Sequence, residues 1–106
     1  METPLDNEIV VGEVEKAEKF EEARKPEMFK LWIDLGNKKV QSAAQLGYNH
    51  TTKEITGRKV LCATDLDEIQ IAGFKSQALT LGTPDQNGNP ILVKPDEEAP
   101  KGAKLY

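Results

Sequence analysis

Residues 28–35 read Met-Phe-Lys-Leu-Trp-Ile-Asp-Leu. In an extended chain Phe29, Leu31, Ile33 and Leu35 fall on one side, and Met28, Lys30, Trp32 and Asp34 on the other. A helix would scatter this alternation around its axis, so the segment is a strand with one core face. Gly36-Asn37 follows at once, a turn signal that sends Lys38 to Ala44 back as an antiparallel partner. A lone hairpin is marginal in water, so the rest of the chain must extend this sheet.

The remaining runs supply that extension. Glu8 to Ala17 is rich in Val and Ile and reads as a strand, with Val10, Gly12, Val14 and Lys16 on one side. Gly12 within it predicts a bulge or a tight bend. Glu18 to Arg24 is charged and reads as a helical turn, ended by Pro26. Gln45 to Thr56 lacks alternation and reads as a loop with a short helix. Lys59 to Thr64 is a fourth strand, and Asp65 to Gly73 a loop anchored by Ile69 and Ile71. Lys75 to Leu81 is a fifth strand. Thr83 to Pro90 is dense in turn residues, and Ile91-Leu92-Val93 is a short strand beyond it. A long bent strand, a hairpin, a helical insertion and two further strands follow the order of an OB-fold. The expectation is an all-β fold: a five-stranded OB-fold barrel with a short helical insertion after the third strand. The chain of 106 residues is one domain, with a flexible N-terminus at 1–7 and a C-terminal extension at 95–106.

Charge narrows the function. The net charge is −4, from 14 basic and 18 acidic residues. Such a balance disfavours indiscriminate nucleic-acid binding, which rests on many Lys and Arg contacts to phosphate, but it permits a local basic face. The single cysteine, Cys62, precludes an internal disulfide. There is no apolar run long enough to span a bilayer, and the first residues carry acids rather than a basic leader. These features predict a cytoplasmic protein without membrane insertion.

Catalytic and metal signatures are weak. His50 is the only histidine and reads as a surface residue of its loop. Cys62 lies mid-strand and reads as a small core residue. Asp65, Asp67 and Glu68 lack the glycine and further ligands of a calcium loop. No phosphate-binding glycine motif is present. The expectation is a non-enzyme with no cofactor and no metal.

Four segments resemble a known family: V-V-G-E-V-E-K-A-E-K-F-E-E-A-R-K-P from Val10 to Pro26, K-L-W-I-D-L-G from Lys30 to Gly36, Q-S-A-A-Q from Gln41 to Gln45, and I-A-G-F-K-S-Q-A-L-T-L-G from Ile71 to Gly82. In order and spacing they resemble the tRNA-binding-domain proteins. They are most similar to the CsaA group of secretion-related chaperones, which is related to the C-terminal domain of many methionyl-tRNA synthetases. The resemblance runs from about Ile9 to the C-terminus. It implies an OB barrel, a homodimer built partly by terminal extensions, and binding of tRNA or, in the CsaA manner, of unfolded or pre-secretory polypeptide. Two departures stand out. Ile9-Val10-Val11 lacks the family's frequent arginine, and Asp65 to Gln70 is acidic where the family is commonly basic. Ser76-Gln77 keeps the polar pair that follows this loop.

RNA recognition by such a barrel needs a basic track and planar groups. The candidates are Lys30 and Trp32 on one strand face, Lys38, Lys39, Ser42 and Gln45 on the paired strand, and Lys75, Ser76 and Gln77 from the fifth-strand side. Trp32 is also a candidate for a core or subunit contact. Polypeptide binding instead needs an exposed apolar patch, for which Met28, Trp32, Leu66 and Ile69 are the candidates. The expected partners are a second copy of the chain, tRNA or similar structured RNA, and, in the alternative, unfolded polypeptide.

Overall fold

The computed structural model describes residues 5–106, so residues 1–4 of the expected flexible N-terminus lie outside the described residues. In chain order the elements are β1 (Ile9–Lys19), β2 (Phe29–Asp34), β3 (Lys39–Ala44), α1 (Thr52–Ile55), β4 (Lys59–Ala63), β5 (Ile69–Ile71), β6 (Phe74–Ser76), β7 (Leu79–Thr80), β8 (Gly82–Pro84) and β9 (Pro90–Leu92). Five of them form an antiparallel sheet in the order β3-β2-β1-β4-β7. The sheet curls into a nearly closed barrel of OB type, with α1 after the third strand as expected.

The β2 alternation is realised as read. Phe29, Leu31, Ile33 and Leu35 are at most 3% exposed and sit in one core with Val14, Val60, Cys62 and Ile55. Burial of each such side chain contributes ~1.5–3 kcal/mol. Gly12 faces this core because β1 and β2 approach closely there. A Cβ at Gly12 would lie 2.5 Å from Ile33 Cγ2.

The bulge in β1 lies at Glu15 and not at the glycine. Val14 pairs with Ile33 and Lys16 with Trp32, leaving Glu15 as the extra residue. One extra residue reverses the facing of everything after it. Ala17 therefore packs on the core, while Lys16, expected on the same side as Val14, turns outward. Residues 18–19, expected in a helical turn, continue β1, and the chain leaves the strand only at Phe20.

The barrel closes between β3 and the segment 76–80. Gln77 N donates to Gln41 O at 2.8 Å, and Gln41 N donates to Gln77 Oε1 at 2.9 Å. Ala43 N donates to Ser76 Oγ at 3.0 Å. Inside the wall Ser42 Oγ meets Thr80 Oγ1 at 2.8 Å. The expected continuous fifth strand is thus broken into β6 and β7, because residues 76–78 turn to serve the β3 edge.

Two smaller hairpins complete the fold. β5 and β6 are joined by Ala72-Gly73, both with positive φ (46° and 82°), the pattern of a type I′ turn. Ile71 packs inward from this hairpin, but Ile69, expected as an anchor, is 61% exposed. β8 and β9 flank the predicted turn region. The loop before α1 holds this second hairpin. Asn49 Nδ2 donates to Asp85 Oδ2 at 2.9 Å, and Leu92 N donates to His50 Nε2 at 3.1 Å. With Nε2 accepting, His50 Nδ1 donates to Glu54 Oε1 at 2.9 Å. His50 is consequently a buried clasp, its side chain 7% exposed, rather than the surface residue expected. Thr51 and Glu54 form a reciprocal capping box that starts α1.

The C-terminal residues 102–105 run along β1 of the same chain. Gly102 N donates to Val11 O at 2.7 Å, Val11 N to Ala103 O at 2.9 Å, and Leu105 N to Ile9 O at 2.8 Å. Gly102 has φ +84°, and a Cβ there would lie 2.7 Å from Leu35 O, so only glycine fits this crossing. Lys101 Nζ to Asp34 Oδ2 (2.9 Å) and Lys104 Nζ to Glu8 Oε2 (3.3 Å) pin the two ends.

Candidate nucleic-acid interface

The outer face of β1 and β2 carries an aromatic chain. Trp32 meets Phe74 edge-on at 5.6 Å, and Phe74 meets Phe20 edge-on at 5.5 Å. Phe20 comes from the β1–β2 loop, Phe74 from β6, and Trp32 from the strand between them. Met28 and Ile71 fill in behind these rings. The two loops that bracket the β2–β3 face are thus joined by one apolar cluster. In OB-folds this face and these loops are where oligonucleotides bind.

Cations lie on the rings. Lys16 Nζ is 4.9 Å from the Trp32 ring, a placement made possible by the Glu15 bulge. Lys30 Nζ is 4.9 Å from Phe20 and 5.6 Å from Phe74. Each is also paired with an acid, Lys16 with Glu18 at 3.0 Å and Lys30 with Glu22 at 3.8 Å. Lys39 is paired with Glu15 at 3.1 Å. By contrast Lys19, Arg24, Lys25, Lys38 and Lys75 form no ion pair among the described residues. Lys19, Arg24 and Lys25 lie at the start of and within the β1–β2 loop, and Lys75 is on β6.

The sequence-derived candidates divide accordingly. Lys30 and Trp32 share the aromatic face, half-buried; Lys75 is exposed next to Phe74 on β6, whereas Lys38 is exposed in the β2–β3 turn at the far end of β2, with Gly36, Asn37 and Lys101. Ser42 is corrected: it is fully buried, and its hydroxyl is spent on Thr80. Ser76 and Gln77 are partly buried and close the barrel through β3. Gln45 Nε2 donates to Pro26 O at 2.9 Å, tying β3 to the β1–β2 loop. Of the apolar candidates, Met28 is buried and Trp32 half-buried, while Leu66 (42%) and Ile69 (61%) are exposed on the β4–β6 connection. They do not form one open patch.

Phe20, Phe74 and Lys16 belong to the site and were not among the candidates. Phe20 and Phe74 are apolar residues embedded in charged or loop-like sequence, which is the signal they offered. Lys16 had none, because a bulge leaves no mark on composition.

No group of three or more His, Cys, Asp or Glu that could hold a metal ion occurs among the described residues. Asp65 instead accepts Glu8 N at 2.9 Å. Burial pushes the Cys62 thiol up to about 11, so it stays protonated near neutrality. No helix among the described residues is long and apolar enough to cross a membrane.

Comparison with known proteins gives a consistent picture. The family model described as "Putative tRNA binding domain" matches residues 9–104. The methionine–tRNA ligase of Bacillus subtilis (strain 168) is 32% identical over 101 residues, 95% of this chain and 15% of that enzyme. The methionine–tRNA ligase of Methanothrix thermoacetophila is 33% identical over 95 residues, 90% of this chain and 14% of that enzyme. The chain therefore spans only a small part of these ligases. Among solved structures, chaperone CsaA from Bacillus anthracis str. Ames superimposes with a TM-score of 0.88 at 29% identity, over 94% of this chain and 91% of that one. A MetRS-related protein from Pyrococcus horikoshii does so with a TM-score of 0.84 at 26% identity, over 100% of both chains.

Proposed function

Given that the chain belongs to the tRNA-binding domain family, we propose that it is a non-catalytic cytoplasmic protein that binds tRNA or similar structured RNA through the outer face of β1 and β2. The observation that carries this reading is the distribution of free cations. Most lysines on the sheet itself are neutralised by glutamates, whereas Arg24, Lys25 and Lys75 stand unpaired on the two bracketing loops. A net charge of −4 is compatible with RNA binding when cations without ion pairs flank the binding face, as Arg24, Lys25 and Lys75 do. Lys53, Arg58 and Lys94 also lack ion pairs among the described residues but lie in or beside α1, β4 and β9.

The test is fluorescence anisotropy of labelled tRNA across a salt series. Wild type should bind with an affinity that falls steeply as salt rises. Arg24→Glu/Lys25→Glu and Lys75→Glu should weaken binding, while Lys94→Glu, beside Glu97 and Glu98, should not. Absence of any salt-dependent affinity at low ionic strength overturns the reading.

A second reading, binding of unfolded polypeptide, draws support from the likeness to chaperone CsaA and from the exposed Leu66 and Ile69. It predicts that the protein slows aggregation of a denatured client and that Leu66→Ser/Ile69→Ser removes this effect. A homodimer is part of both readings. Exposed Leu79 (50%), Ile91 (39%) and Tyr106 (67%) are apolar surface that a second copy would cover. Light scattering of the purified chain tests it, and a monomer at micromolar concentration would refute it.

A further inference from the structure

A cleft of about 480 Å³ opens between the β1–β2 loop and the tip of the β5–β6 hairpin. We propose that this cleft receives the base of one unpaired nucleotide, so that the protein distinguishes RNA with an extruded base from fully paired RNA. The inference rests on the RNA-binding reading and adds the feature of the RNA that is recognised.

Its walls suit a flat ring. Ala23 and Met28 come from one loop and Ile71 and Ala72 from the other, giving opposed aliphatic surfaces. The size lies in the range of small-ligand cavities, roughly 300–1,000 Å³, and is far too small for a duplex. The rim suits a phosphate. Arg24 and Lys25 line it without an acidic partner among the described residues, and Glu22, the acid on the same rim, is engaged with Lys30. Gln70, also on the rim, offers an amide donor and acceptor to a base edge. The charge on the rim favours a nucleotide over an apolar peptide side chain. Bases that protein surfaces read in RNA are usually unstacked ones, held between apolar or planar groups.

Ala72 makes the cleft testable. It has φ 46° in a turn where asparagine is the favoured residue, so Ala72→Asn should fold at least as well while placing an amide at the wall.

The probes are three labelled RNA hairpins of one sequence: fully paired, with a single bulged nucleotide, and with an abasic site at the bulge. The bulged hairpin should bind about tenfold tighter than the other two, in keeping with the value of one stacked base. Ala72→Asn should erase that difference while leaving the salt dependence and the melting temperature unchanged. Arg24→Ala should lower the salt slope by about one. A 2-aminopurine at the bulge should change its emission on binding to wild type and not to Ala72→Asn.

Equal affinity for all three hairpins, with steep salt dependence, would overturn the cleft and leave RNA binding standing. No affinity for any hairpin at low salt would overturn both. Binding of a leucine-rich peptide that Ala72→Asn weakens, without a preference for the bulged hairpin, would assign the cleft to polypeptide and overturn the proposal.

Discussion

The hydroxyls of Ser42 and Thr80 meet at 2.8 Å within the barrel wall, joining the sheet's two edge strands, β3 and β7. Both residues are buried, so neither hydroxyl has water as an alternative partner. Thr80→Val should therefore lower stability by ~1–3 kcal/mol, the cost of leaving one buried polar group unpaired. Ser42→Ala/Thr80→Val should cost less than the sum of the single changes. Urea denaturation of the three variants measures this, and strict additivity would show that the pair is not coupled.

Gln77 and Lys75 are two residues apart and should behave differently. Gln77→Ala removes the acceptor of Gln41 N and should destabilise the fold by ~0.5–1.5 kcal/mol, with the salt slope of RNA binding unchanged. Lys75→Ala, at an exposed cation with no ion pair among the described residues, should lower the slope by about one and leave the melting temperature unchanged. Thermal melts and salt titrations on the same preparations separate the two roles.

The ion pairs that pin the C-terminal segment give its docking both an acid and an alkaline limit. Lys101 and the Gly36 amide hold the Asp34 carboxyl below its usual range, and hydrogen bonds from Thr64 and Lys104 do the same for Glu8. A depressed carboxylate stabilises the fold above its unfolded pKa, and the contribution disappears as pH falls through the lowered folded value. Lys101 is raised by Asp34, so its contribution is complete below the ordinary lysine range and is lost as pH climbs past the raised value. Hydrogen exchange at Ala103 and Leu105 should accelerate, relative to the β2 amides, below about pH 4 and above about pH 10.5. Asp34→Asn should weaken the acid response most near Lys101.

His50 joins Leu92 N to Glu54 through its two ring nitrogens. His50→Ala removes both contacts and opens space beneath β9, so it should cost ~1–3 kcal/mol. The loss should appear first as faster exchange in β8 and β9. His50→Gln should recover part of it, since its side-chain oxygen can accept the Leu92 amide. Uniform destabilisation without local exchange at β9 would contradict this role.

The β2–β3 hairpin was legible because its alternation is unbroken and its turn is spelled out by Gly36-Asn37. The helical insertion was legible too, from the loss of alternation after Gln45. What escaped depends on contacts between distant positions. Ser42, Ser76 and Gln77 were read as polar groups on a ligand face, and they lie close to it. Their hydroxyls and amide are consumed in closing a barrel between residues 33 to 38 positions apart, which local pattern cannot reveal. Lys16 was assigned to the inner side because alternation was counted straight through Glu15. Ile69 was read as an anchor because it is apolar, but it lies at the open end of a short hairpin. The family resemblance supplied the architecture correctly and could not say which polar residues the architecture itself uses.

Residues 102–105 occupy a stretch of β1 backbone that would otherwise be bare on that side. Unpaired strand edges recruit strands from other molecules, and proteins avoid aggregation by covering them. The segment therefore acts as a built-in passivating strip. A protease that removed it would leave a barrel whose core was intact but whose surface could nucleate assembly, so the damage would register as turbidity before it registered as unfolding.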